Sequence, residues 1–254
     1  KAVYGTLLGA ILFYQKLSGQ LYEWGYEQNP YDPCTFNKTV NGEQLTIQYH
    51  VDDLRCSHME QKVLDDLMKD LNNVFRTSKK ELTETRGDIH EYLGLTIDFS
   101  GKYNSNEPDR TGQVIFTMFD YIEDIVTTAP LDMGGLSPDP ARSKLFDVLD
   151  ASPRLNTRET DEFHSMTARL LFAAKRARPD IQVAVAYLCT RVREPTRDDY
   201  LKLSRVIRYL RGTIYLPLVV GWDASGTLLW SIDASFAVHN DMRSHTGAML
   251  TFGR

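Results

Sequence analysis

QYHVDDLRCSH, residues 48–58, sets two carboxylates side by side between two short apolar runs. Immediately upstream, 34–40 and 45–51 read as strands around Asn41-Gly42, a dipeptide that favours a type I′ hairpin turn. On the second strand Leu45, Ile47, Tyr49 and Val51 point one way, while Thr46, Gln48, His50 and Asp52 point the other. Residues 54–58 can return as a third strand, which places Asp52 and Asp53 at a tight turn. Further out, Leu7, Leu8, Ile11, Leu12, Leu17, Leu21 and Trp24 predict one long amphipathic helix ended by Gly25. On the other side Val63, Leu67, Leu71 and Val74 repeat at helical spacing. The order is helix, hairpin, carboxylate turn, helix.

Asp at a turn is common for backbone reasons, because its short side chain bonds nearby amides. Two adjacent carboxylates, however, repel unless one takes a proton or a cation lies between them. Mg²⁺ suits such a pair, since it prefers carboxylate oxygens together with the phosphates of a substrate. Two carboxylates alone rarely complete a metal site.

With 254 residues and 42% hydrophobic content, the chain is long enough for one large domain or two smaller ones. No run of about 18 apolar residues and no secretory leader pattern is present, so an intracellular protein without a membrane partner is expected. Cys34, Cys56 and Cys189 are odd in number and widely spaced, which predicts free thiols rather than a disulfide framework or zinc site. GxGxxG, Walker and HExxH motifs are missing, and the six histidines show no metal-ligand spacing. The net charge of −5 conceals an asymmetry. Residues 169–211 hold eleven Lys or Arg against four Asp or Glu, a local excess of seven that leaves the remainder at −12. In this block Leu170, Leu171, Ala174, Val183, Val185, Tyr187 and Leu188 are spaced as in helices, and Tyr200, Leu203, Val206, Ile207 and Leu210 follow a 3.6 period. Arg205, Arg208 and Arg211 then share a neighbouring face. Such a run is often a solvated helix face. With few acids nearby in sequence, a phosphate backbone is the natural partner.

KAVYGTLLGAILFYQKL, GYEQNPYDPCTFNK, YHVDDL, EYLGLTIDF, RARPDIQVAVAYL and RYLRGT occur in an order and spacing that resemble the reverse transcriptase of copia-type LTR retrotransposons, over almost the whole chain. The resemblance implies an α+β, right-handed polymerase fold: partial fingers and palm with the Asp-Asp hairpin and primer grip over 1–99, a helical thumb and connection over 100–220, and the first strands of a ribonuclease H-like domain over 221–254. It implies an RNA-directed DNA polymerase segment of a larger polyprotein, with an RNA or DNA template, a primer and deoxynucleoside triphosphates as partners. Mg²⁺ is the implied cofactor, with Mn²⁺ as the alternative ion. By the same resemblance Asp52 and Asp53 are catalytic metal ligands, and Lys79 or Lys80 protonates the leaving group. Tyr92, Leu93 and Gly94 lie in the primer grip, within 91–99. Arg169, Lys175, Arg176, Arg178, Arg205, Arg208 and Arg211 face nucleic acid, and Asp233 matches the first ribonuclease H carboxylate.

Departures from the family pattern set a second expectation. The other catalytic Asp of the family would fall before Lys1, so the sequence is expected to be a fragment, inactive alone. His50 stands where the family usually has Tyr, and Leu8 where it commonly has a Gln that approaches the nucleotide. The remaining ribonuclease H ligands would fall beyond Arg254. A catalytically dead relic that only binds nucleic acid is the competing reading. Residues 100–112, 133–139 and 221–226 read as loops.

Overall fold

The computed structural model describes residues 5–77, 81–101, 112–223, 225–239 and 242–253. The chain divides into two compact units, Lys1–Thr85 and Arg86–Arg254.

In the first unit helix α1 (Leu7–Glu23) opens behind Thr6, whose Oγ1 accepts the Gly9 N–H at 3.2 Å. It ends as Gly25 turns left-handed at φ 78°, one residue beyond the Trp24 cap. Only the C-terminal half of its apolar set is buried: Leu17 and Leu21 enter the core, whereas Leu7, Leu8, Ile11 and Leu12 are exposed. Strands β1 (Glu27–Gln28), β2 (Thr35–Val40), β3 (Glu43–His50) and β4 (Asp53–Ser57) form an antiparallel sheet in sequence order. Asn41 and Gly42 both have positive φ, 55° and 85°, as a type I′ turn demands. Helix α2 (Gln61–Phe75) closes the unit. Phe36, Leu45, Ile47 and Tyr49 from the sheet share one core with Leu17 and Leu21 of α1 and Leu67 and Leu71 of α2. The predicted alternation on β3 therefore holds through Tyr49. Val51 departs from it: the strand has ended, and this side chain is exposed in the turn.

The second unit begins with β5 (Ile89–Tyr92), β6 (Leu95–Asp98) and β7 (Gly112–Thr117). Residues 89–98, grouped with the Asp-Asp hairpin in the division by sequence, pair instead into this unit's sheet, because β6 bonds to β7. Helices α3 (Phe119–Thr128), α4 (Thr157–Ala174), α5 (Gln182–Arg191) and α6 (Arg197–Gly212) follow, with single 3₁₀ turns at Leu131–Met133 and Pro179–Ile181. Both α4 and α6 start with capping boxes, Asn156 with Glu159 and Thr196 with Asp199. Leu170, Val185, Leu188, Leu203, Val206, Ile207 and Leu210 meet in one core, with Phe163, Ile122 and Ile125. Val183 stands outside it and is exposed. Strands β8 (Leu218–Trp222), β9 (Leu228–Ser235) and β10 (His245–Phe252) extend the sheet to the order β5-β6-β7-β8-β10-β9. All pairs are antiparallel except β8 with β10, which is parallel and touches at Trp222 and Phe252.

Candidate carboxylate turn and basic helices

The turn between β3 and β4 has two residues, Val51 and Asp52, closed by the pairing of His50 with Asp53. Val51 takes φ 54°, the left-handed region that glycine usually fills at the first position of a hairpin turn. A β-branched side chain there costs on the order of 1–2 kcal/mol, and the flanking strands hold it in place. The consequence is positional. Asp52 caps the hairpin tip, Asp53 opens the returning strand, and both are exposed. Just below, Tyr49 is buried against Phe36 and Tyr14, and its hydroxyl has no hydrogen-bond partner among the described residues. Burial pushes the Tyr49 phenol up, so it stays neutral.

The donor set at this turn suits a hard divalent ion in kind, since both groups are carboxylates. It is short in number: among the described residues no three His, Cys, Asp or Glu side chains converge to hold a metal ion. Mg²⁺ asks for six oxygen positions in near-octahedral array. The described residues therefore do not fit a complete Mg²⁺ site. Lys79 and Lys80, the candidates for protonating a leaving group, lie outside the described residues.

Tyr92, Leu93 and Gly94 form the turn between β5 and β6. Tyr92 pairs with Leu95, and Leu93 and Gly94 are both left-handed at φ 52° and 76°. Gly94 approaches helix α4: a Cβ placed there would meet the Phe172 ring at 3.6 Å. On the same ring, the Arg176 guanidinium stacks 3.6 Å from the centroid. The structure thus gathers Gly94, Phe172, Arg176 and the exposed, neighbouring Lys175 into one region.

Most of the other basic residues expected on a nucleic-acid surface have internal partners instead. Arg178 is only 1% exposed; it pairs with Asp180 at 2.7 Å and donates to the Thr213 carbonyl and hydroxyl. Its guanidinium holds the Asp180 carboxyl below its usual value despite burial, which acts the other way. Arg169 binds Asp124 and the Thr128 hydroxyl. Arg205 pairs with Asp139 at 2.6 Å. Arg208 donates to the Asp132 carbonyl, and Arg211 to the carbonyls of Met133 and Gly135. The face formed by these last three is thus a strap that holds the 131–139 segment against α6. Arg178 does not belong to a nucleic-acid surface. Arg169, Arg205, Arg208 and Arg211 are committed within the fold, because acids and carbonyls far away in sequence supply what the local count lacked. Lys175 and Arg176 have no ion pair with another described residue.

No family model and no solved structure matches the chain. Curated proteins do match, and three of them follow. It is 26% identical over 251 residues to a putative transposon Ty5-1 protein of Saccharomyces cerevisiae, covering 98% of this chain and 75% of that one. It is 27% identical over 209 residues to an uncharacterized mitochondrial protein of Arabidopsis thaliana, covering 82% and 78%. Against the retrovirus-related Pol polyprotein from transposon TNT 1-94 of Nicotiana tabacum, the identity is 24% over 263 residues, covering 99% of this chain and 18% of the polyprotein. The similarity supports a retrotransposon origin.

In this transposon-related chain, Asp233 sits in β9 opposite Gly247, and its carboxylate accepts the N–H of Ala234 at 2.9 Å. It belongs to no metal-holding cluster among the described residues. Two residues that sequence reasoning missed shape the candidate regions. Phe172, which the apolar spacing did not single out, links the Gly94 turn to Arg176. Asp199, counted merely as one local acid, is 1% exposed and serves both as the α6 capping-box acid and as the partner of Arg191 at 3.1 Å. The Thr-x-x-Asp spacing at 196–199 was the available signal for its capping role.

Proposed function

We propose that the chain is a segment of a retrotransposon reverse transcriptase, an RNA-directed DNA polymerase of the copia type, in which the β3–β4 hairpin carries Asp52 and Asp53 to the primer end. The observation that supports this reading is the carboxylate turn: a two-residue turn, strained at Val51, that fixes two exposed adjacent carboxylates at the tip of a hairpin whose other face is anchored in a core. The relationship to transposon proteins supplies the context. The turn at Tyr92 to Gly94 would sit along the nucleic acid, with Arg176 and Lys175 as its nearest cations. The template would be RNA or DNA, and the remainder of the polyprotein would supply the groups that two carboxylates lack. The test is primer extension by the polyprotein carrying this segment. Asp52→Asn is expected to lower extension by about 10²-fold or more, the scale of losing one electrostatic contact made in the transition state, with template binding retained. Unchanged extension would remove Asp52 from the chemistry.

A relic that binds nucleic acid without catalysis is the second reading, favoured by the absence of a third metal donor among the described residues. Its signature is salt-dependent binding with no extension under any divalent ion. Because the arginines on α6 have internal partners, the log-log salt slope should be shallow, about −2 for the contacts of Lys175 and Arg176.

A further inference from the structure

Two histidines, His239 after β9 and His245 at the start of β10, pack on the helical core. Their Nε2 atoms lie 2.7 Å apart, so one imidazole donates its N–H to the lone pair of the other. Both rings pack on Phe146, with centroids at 5.1 Å for His239 and 4.8 Å for His245. His239 also stacks on Tyr187 of α5, 6.0 Å away and 13° from parallel. The loop needs such an anchor. Ala237 and Met242 are left-handed at φ 52° and 64°, which costs non-glycine residues on the order of 1–2 kcal/mol each. Moreover, β9 is exposed along nearly its whole length.

We propose that His239 and His245 form a proton-operated latch that holds the end of β9 and the start of β10 against Phe146 and helix α5 at neutral pH and releases them in mild acid. The bond between the rings requires that at least one be neutral. A second proton places two cations in contact and removes the acceptor lone pair. Among the described residues nothing relieves that repulsion. From α5 comes the Tyr187 phenol, and from α6 the Lys202 ammonium, 4.8 Å over the Tyr187 ring and within 3.3 Å of its hydroxyl. Asp198 is paired with Lys202 and Asp199 with Arg191. The segment before α4 offers Phe146 and the Asp147 carbonyl, which Lys202 already occupies. On the same segment the described charge is Arg243, whose backbone carbonyl accepts the His239 backbone N–H; Asp241 lies outside the described residues. No carboxylate bonds to either imidazole among the described residues. The spacing also discriminates against a shared metal, since two imidazole nitrogens on one tetrahedral zinc would stand roughly 3.3 Å apart.

The direction of the pH effect follows from linkage. Burial, and then the neighbouring His239, push His245 below its ordinary value in the closed loop. In the released loop it returns to about 6.5. The released form therefore binds more protons on acidification, and the latch is fully present above that value and lost as pH falls below it.

Hydrogen exchange of the intact chain tests the latch, with protection of the 236–239 and 242–245 amides normalised to the intrinsic rate at each pH between 7.5 and 5.5. The opening equilibrium should rise by up to about tenfold per pH unit below ~6.5, while the amides of α4 and α6 stay protected. His245→Phe keeps a ring against Phe146 but cannot titrate, and its loop protection should become independent of pH. Should that variant fail to fold, the wild-type His245 imidazole, followed by NMR, should titrate below its ordinary value. Protection that ignores pH in the wild type, an unchanged response in His245→Phe, or an ordinary titration of His245 would each overturn the proposal. Protection gained on adding Zn²⁺ at pH 7.5 would also overturn it, in favour of a shared metal.

Discussion

The two hairpins that carry the candidate acids differ in how they are specified. In β3, alternate residues Leu45, Ile47 and Tyr49 are buried, so a one-residue slip would turn the core face to water, and the position of Asp52 at the tip is fixed with it. In β9, which carries Asp233, Leu228, Leu229, Trp230 and Ile232 are all exposed, and the strand forms the edge of its sheet. Nothing in its own burial pattern fixes which face Asp233 uses. A carboxylate is precisely aimed only where the opposite face of its strand is anchored.

Substitution in the cores gives the largest expected contrast. Phe36→Ala, beneath the first hairpin, should cost about 3–5 kcal/mol, whereas Ile232→Ala on β9 should stay within about 0.5 kcal/mol; urea unfolding of the two variants measures the difference. Equal losses would mean that β9 is buried in solution and the comparison fails. Next comes Arg178→Met, which strands Asp180 beside a vacated cationic position. A loss of about 3 kcal/mol is expected, with the salt slope of nucleic-acid binding unchanged. A fall of about one unit in that slope would return Arg178 to the binding surface. Val51→Gly sharpens the account of the turn: removing the β-branched side chain from φ 54° should stabilise the first unit by about 1 kcal/mol. Thermal melts read this, and destabilisation would show that the strain does not exist. Arg176→Ala should have the smallest effect on stability, yet reduce the magnitude of the salt slope by about one unit, while Arg205→Ala should leave the slope as it was.

The helix–hairpin–helix order, the Asn41-Gly42 turn and the apolar faces of α4 and α6 were legible in sequence because each depends on residues a few positions apart. The roles of the arginines were not. Arg205 finds its acid 66 positions away in Asp139, and Arg169 finds one 45 positions away in Asp124, so a count over 169–211 could not include either. Val51 escaped notice for a related reason: alternation extrapolated one residue past the strand assigns it inward, while pairing of His50 with Asp53 leaves it in the turn. As for the carboxylate pair, its adjacency and its place at a tight turn were readable, but the lack of a third donor among the described residues is a fact of three dimensions.

The strap on α6 reads main chain more than side chains. Arg208 and Arg211 end on the carbonyls of Asp132, Met133 and Gly135, and every amino acid supplies a carbonyl. Drift at 132, 133 or 135 can therefore change their side chains without depriving these guanidiniums of acceptors, provided the chain path survives. What constrains the segment is separate from the strap: Met133 in the core, the Asp132 carboxylate on the Tyr200 hydroxyl, and Gly135 at φ 91°.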